Sequence, residues 1–239
     1  MSSWWNIRYI RRRQKIVGTF MKHGLGYLLQ RWGLARTVQL SPRQLMNEEK
    51  SKTSYLLAGN LSQAMMELGP AFIKLGQMLS TRPDMLPPPY IEALERLQDK
   101  VEPLPYAQIL KQTLSEIGDP KEVFADFDPE PLAAASIGQV HRARLKSGEE
   151  VIVKIQRPDI ERKVESDLEI IKGLARLSER RSPEARRMGI YNIVEEFSRM
   201  LLRELDYARE ARNTERVYNN FRDDQRVVIP RVYWEYTTP

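Results

Sequence analysis

The segment Pro131–Gln156, PLAAASIGQVHRARLKSGEEVIVKIQ, constrains this chain more than any other. It reads as two short strands around a tight loop, then a third strand in which one lysine stands among branched apolar residues. Alternation puts Val151, Val153 and Ile155 on one face of that third strand, and Ile152, Lys154 and Gln156 on the other. A lysine among valines and isoleucines is costly unless something anionic meets it. The segment therefore predicts an antiparallel sheet that presents a cation to a ligand or to a carboxylate.

The loop before that strand indicates what the anion is. Ala133, Ala135, Gly138 and Val140 occupy the spacing G-x-G-x-x-G-x-V of loops that cover nucleotide phosphates in kinases, with the first two glycines replaced by alanine. In that arrangement the strand lysine pairs the phosphates and a helix glutamate. An alanine-rich turn beside an exposed lysine would show the same letters, so a plain hairpin stays open on spacing alone.

A third element lies upstream, in Pro70–Pro105, PAFIKLGQMLSTRPDMLPPPYIEALERLQDKVEPLP. Together with Ala133-Ala134-Ala135-Ser136, the VIVKIQRP strand and the later ELDYAREA, it resembles the UbiB/AarF family of atypical kinase-like proteins, which is linked to ubiquinone and isoprenoid-lipid metabolism. The resemblance covers roughly residues 55–239. It implies ATP and Mg2+ as cofactors, with the alanine loop (Ala133, Ala134, Ala135, Ser136, Gly138, Val140) over the nucleotide and Lys154 on its α/β-phosphates. By the same resemblance Glu210 orients Lys154, while Lys74 and Gln77 lie on a helix across the active site. Glu204 and Asp206 match a Glu-x-Asp motif that engages that helix and the nucleotide's metal, so either is a candidate metal ligand. The implied partners are ATP or ADP and an isoprenoid or quinone lipid, or enzymes of that pathway. Spacing by itself leaves Lys74, Gln77 and the three acids as ordinary solvated helix residues.

Charge is unevenly placed along the chain. Residues 1–47 hold nine Lys or Arg and no acid, whereas the rest carries 29 basic against 32 acidic residues, so the formal +6 comes entirely from the N-terminal part. Trp4, Trp5, Tyr9, Phe20, Tyr27 and Trp32 are interleaved with those cations. Basic residues mixed with interfacial aromatics suit an anionic membrane surface. An organelle transit segment and a solvated basic helix remain open alternatives. No groove-reading motif accompanies the basic stretch, so nucleic acid is not an expected partner. No run of eighteen apolar residues occurs, and the chain has no cysteine, which fits a reducing compartment. The expected location is cytoplasmic and peripheral to the membrane.

The pattern predicts an α+β chain in three parts: a basic extension over 1–40, a helical segment over 41–118, and a kinase-like N-lobe over 119–239. Ser41-Pro42 opens a helical stretch to about residue 82, broken at Gly69-Pro70. Short helices follow around Ile91–Leu97 and over 106–117. Gly76, between Lys74 and Gln77, is expected to admit the backbone of another element. A helix after Pro158 carries Ile160, Val164, Leu168, Ile171 and Leu174 on the stripe expected to pack on the small lobe. One helix is expected over 191–221, with Asp206 and Glu210 on one face and Glu204 about 200° from Asp206. Val227–Tyr236 reads as a fourth strand leading to a turn at Thr237-Thr238-Pro239. Neither H-x-D-x-x-x-x-N nor D-F-G occurs in the 239 residues. A fragment lacking the C-lobe, inactive by itself, is therefore expected. The competing expectation is a non-catalytic, membrane-associated binding module.

Overall fold

The computed structural model describes residues 3–26, 50–97 and 102–238. Its elements are α1 (Ser3–Lys22), α2 (Lys50–Leu68), α3 (Pro70–Ser80), α4 (Pro88–Glu95), α5 (Tyr106–Ile117), α6 (Pro120–Val123), β1 (Phe124–Ala134), β2 (Gly138–Leu145), β3 (Glu150–Gln156), α7 (Ile160–Arg181), α8 (Pro183–Met188), α9 (Ile190–Leu205) and α10 (Tyr207–Phe221), followed by a 3-10 turn at Trp234–Tyr236. Two compact units result, one from Met1–Asp99 with Arg162–Arg199 and the other from Lys100–Glu161 with Met200–Pro239. The expected helix start at Ser41-Pro42 lies outside the described residues.

The first unit is helical. Leu61, Met65 and Leu68 of α2, spaced for one face, are buried with Phe72 of α3, Leu94 of α4, and Ile170, Ile171 and Ala175 of α7. Ile16 and Phe20 of α1 lie in this same core. Phe20 is therefore an interior residue and not an interfacial aromatic. Arg12 is also turned inward: its Nε and Nη2 donate to Asp167 at 2.5 and 2.7 Å, and Nη2 donates to the Leu68 carbonyl at 2.6 Å. Lys22 pairs with Glu67 at 2.8 Å. From Arg162 onward α7 belongs to this unit, although its stripe follows β3 directly in sequence and suggested packing on the sheet. Gly76 does meet a close neighbour, but that neighbour is side chain and not backbone. A Cβ there would stand 2.3 Å from Leu97 Cδ1 and 2.7 Å from Met65 Sδ.

The second unit is built on an antiparallel meander in the order β1-β2-β3. β1 is an edge strand with register shifts around Pro129 and Pro131, where proline removes ladder donors. β2 and β3 pair regularly, with Gly138 opposite Gln156 and Val140 opposite Lys154. Val151 and Val153 pack with Phe124, Ala143 and Leu145, and Ile155 is buried, so the expected apolar face of β3 is the inner one.

Two expectations are corrected here. Val227–Tyr236 is not a fourth strand: Pro230 interrupts it, Val228 is 91% exposed, and the segment closes on itself through Tyr236 N–H to the Tyr233 carbonyl. The helix expected over 191–221 is two helices. Asp206 leaves helical geometry (φ −81°, ψ 91°) and caps α10, its Oδ1 accepting from the Arg209 N–H at 2.8 Å.

Candidate functional site

Lys154 stands in the middle of β3, on the strand's outer face. Its Nζ donates to Glu210 Oε2 at 2.5 Å, across 56 residues of sequence, and lies 4.5 Å from the centre of the Tyr207 ring. Two contacts and a helix cap bring α10 to that position. Gln156, two residues from Lys154 on the same face, donates through Nε2 to the Leu205 carbonyl. Asp206 then starts α10, which puts Glu210 on its first turn. Tyr207 fills the space between. Both ends of the Lys154–Glu210 pair are well exposed, at 39% and 54%. Such pairs contribute only about 0–1 kcal/mol to stability. The arrangement is thus a poor stabilising device and a good way to hold an ammonium in one place. That ammonium borders an open groove of about 1160 Å³, also lined by Ile152, Gln156, Tyr207, Ala211 and Thr214.

Tyr207 and Gly138 form a tight fit beside the lysine. The Tyr207 hydroxyl is buried and has no hydrogen-bond partner among the described residues. Burial first, then the charges of Glu210 and Glu204, push the phenol above its ordinary value, so it stays neutral. A Cβ on Gly138 would lie 2.4 Å from that hydroxyl and 2.7 Å from the Ile155 carbonyl oxygen. Gly138 is therefore a glycine by lack of space, and it lacks the positive φ that glycine loops exploit.

The alanine loop is a closed hairpin tip. The Ala135 N–H donates to the Gly138 carbonyl at 2.8 Å, and none of Ala133, Ala134 and Ala135 has positive φ. Ser136 and Ile137 at the tip are buried. Arg157 fastens it, donating from its backbone N–H to the Ile137 carbonyl and from Nε to the Ala135 carbonyl, with Nη2 on the Glu102 carbonyl. None of Ala133, Ala134, Ala135, Ser136, Gly138 and Val140 lines the groove that Lys154 and Glu210 border, although Val140 is the cross-strand partner of Lys154.

The other expected residues fall as follows. Lys74 and Gln77 lie on α3 of the helical unit, where Gln77 Nε2 donates to the Leu97 carbonyl at 3.0 Å. Glu204 is half-buried near the end of α9, and its charge acts on the Tyr207 phenol. Asp206 accepts from the backbone as a cap, and its Oδ2 lies 3.3 Å from Arg212 Nη2. No cluster of three or more His, Asp or Glu that could hold a metal ion occurs among the described residues. Because Asp206 is a cap, Asp206→Ala should cost about 1 kcal/mol of stability while Asp206→Asn stays within about 0.5 kcal/mol. Urea midpoints of the two variants check this, and equal losses would mean the cap contributes nothing.

Sequence reasoning missed three residues that build the site: Tyr207, Gln156 as the strand–helix tie, and Arg157 as the clasp on the hairpin tip. The signal available for Gln156 was its two-residue spacing from Lys154, which puts both on one face. For Tyr207 and Arg157 no local pattern distinguishes them from other residues of their segments.

The comparisons with known proteins identify a family. Residues 96–239 match the ABC1 atypical kinase-like domain. The chain is 44% identical over 191 residues to a protein named "Probable protein kinase UbiB" from Pseudomonas aeruginosa, covering 80% of this chain and 36% of that one. It is 43% identical over 199 residues to "Protein ACTIVITY OF BC1 COMPLEX KINASE 8, chloroplastic" from Arabidopsis thaliana, covering 82% of this chain and 26% of that one. A solved structure of Rv3197 with erythromycin, from Mycobacterium tuberculosis, aligns at TM-score 0.49 and 31% identity over 77% of this chain and 48% of that one. The chain thus spans little more than a third of the length of the Pseudomonas relative. Its sheet unit, with the strand lysine held by a helix glutamate, is a kinase-like N-lobe, and the chain belongs to the ABC1 atypical kinase-like family.

Proposed function

We propose that the sheet unit is the nucleotide-binding part of an atypical kinase or ATPase that supports ubiquinone or other isoprenoid-lipid metabolism. The observation that carries this reading is the Lys154 ammonium, held at 2.5 Å from Glu210 over the Tyr207 ring at the border of a large groove. In it Lys154 meets the α/β-phosphates of ATP, Glu210 keeps the ammonium aimed, and Tyr207 limits its sweep. A bound Mg2+ would neutralise phosphate charge. The chain's own contribution is to place one fixed cation where that charge arrives.

Titration with ATP and ADP tests the reading. Lys154→Met should weaken both by roughly tenfold or more, the loss of a charge-assisted hydrogen bond, with stability unchanged within about 0.5 kcal/mol. Ala135→Gly should shift the ratio of ATP to ADP affinity if the loop meets phosphate. Unchanged affinities in Lys154→Met would end the proposal. With neither H-x-D-x-x-x-x-N nor D-F-G in its sequence, the 239-residue chain should release no phosphate above background.

A membrane surface is the proposed second partner, shared by the catalytic reading and by the alternative of a non-catalytic binding module. α1 buries Ile16 and Phe20 while Tyr9, Ile10, Arg11, Arg13 and Lys15 stay exposed. No helix among the described residues is long and apolar enough to cross a bilayer. Exposed cations near anionic lipid contribute about 1 kcal/mol each. Arg11→Gln with Lys15→Gln should therefore weaken binding to phosphatidylglycerol vesicles by about 2 kcal/mol and flatten its salt dependence. Unchanged, salt-insensitive binding would remove the membrane from the account. Deleting α1 is a poorer test, since it removes Arg12, Ile16 and Phe20 from the interior.

A further inference from the structure

Between α1 and α7 of the helical unit lies a second cleft, of about 350 Å³. Arg13, Arg176 and Arg180 border it, and no acidic residue does. Leu174 and Leu177 line it beside Tyr9, and Gly173 leaves its floor open, the nearest atom to a Cβ there being the Tyr9 hydroxyl at 3.9 Å. Arg176 is already oriented: its Nη2 donates to the Tyr191 hydroxyl at 2.6 Å and its guanidinium lies 4.8 Å from that ring's centre. The Tyr191 hydroxyl in turn donates to Glu195 at 2.9 Å, so Arg176 is the one guanidinium of the three with a carboxylate linked to it. Arg13 and Arg180 have no ion pair or side-chain hydrogen bond among the described residues.

Three guanidiniums facing one small cleft repel each other; no carboxylate lines it, and Glu169 and Glu195 act on Arg176 alone of the three, from outside the lining. A guanidinium fork matches phosphate oxygens in pairs. A phosphomonoester carries about −1.5 to −2 at pH 7, which answers three cations better than a singly charged diester does. The leucines and the bare glycine add what inorganic phosphate would not use, an apolar floor next to the cations. We propose that this cleft binds a phosphomonoester bearing an apolar tail, with Arg13, Arg176 and Arg180 on the phosphate and the tail along Gly173, Leu174 and Leu177. This goes beyond the surface contact proposed for α1: it names a single-molecule site and the headgroup it selects.

Calorimetric titration of the 239-residue chain with octyl phosphate and with inorganic phosphate tests the site. Octyl phosphate should bind at least roughly tenfold more tightly, because several methylenes leave water. Arg180→Gln should weaken octyl phosphate roughly tenfold. Gly173→Leu keeps every charge, suits a helix interior and fills the floor, so it should abolish octyl phosphate binding. It should leave attachment to phosphatidylglycerol vesicles intact. Co-flotation with phosphatidylcholine vesicles containing phosphatidate then separates sources: retention lost in Gly173→Leu identifies a bilayer lipid, and retention unchanged there, with octyl phosphate binding lost, identifies a free amphiphile. Equal binding of octyl and inorganic phosphate would overturn the proposal. So would an unaltered octyl phosphate affinity in both variants, provided circular dichroism shows them folded.

Discussion

Arg12→Ala is expected to cost about 3 kcal/mol, the low end for breaking a buried ion pair, since Asp167 is 3% exposed and Arg12 itself only partly covered. The loss comes from Asp167, which is left buried and charged with only the more distant pull of Lys15, and from the Leu68 carbonyl at the end of α2, which loses its donor. Burial already pushes the Asp167 carboxyl above its ordinary value against the pull of Arg12. A folded-state value above the unfolded one means the native state holds more protons, so this group lowers stability as pH rises through the carboxylate range. Removing Arg12 enlarges that effect. The variant should therefore regain stability on acidification toward the ordinary Asp range, and Asp167→Asn in the same background should recover part of the loss at neutral pH. Urea midpoints against pH measure both. A single-variant loss below about 1 kcal/mol, flat with pH, would show that Asp167 does not depend on Arg12.

Gly138→Ala is the second large effect. The added methyl would sit 2.4 Å from the Tyr207 hydroxyl and 2.7 Å from the Ile155 carbonyl oxygen, and the latter is backbone of the strand that carries Lys154. A side-chain end can swing away, but a ladder carbonyl cannot move without its strand. Overpacking of this kind costs about 1–3 kcal/mol, and the backbone neighbour argues for the upper half. Tyr207→Phe removes an unpartnered hydroxyl, so by itself it should be near neutral, and combined with Gly138→Ala it should return only part of the loss. If the double variant recovers fully, the Ile155 carbonyl is not a real obstacle. If Gly138→Ala is harmless, the fit between hairpin and α10 is looser than these distances show.

The elements legible in the sequence are those whose signal is local. Val151, Val153 and Ile155 alternate because one face of β3 is inside, and period two records that directly. Gly69-Pro70 ends α2 and starts α3 because proline cannot continue a helix from within but suits its first turn. The helix expected over 106–117 is α5. The family was legible too, through short motifs spread over the chain, and the domain match over 96–239 bears it out. Asp206 was placed in mid-helix because 3.6-residue periodicity runs through α9 and α10 alike, and a cap changes geometry without changing the stripe. Val227–Tyr236 has the letters of a strand, yet Pro230 removes a ladder donor and the segment bonds to its own Tyr233 carbonyl.

What the sequence determined alone was the three strands of the meander, the inner face of β3, the acid-free N-terminal stretch and the set of chemically suited residues, Lys154 and Glu210 among them. Only the tertiary structure decided which of them meet. It joined Lys154 to Glu210 across 56 residues, closed Arg12 on Asp167 across 155, and showed that Gly138 is small because Tyr207 occupies its space. The reason is physical: periodicity and turn chemistry report on a residue's own neighbours along the chain. A pairing between distant segments depends on loop closures and on whole-core packing, which no single stretch of sequence encodes.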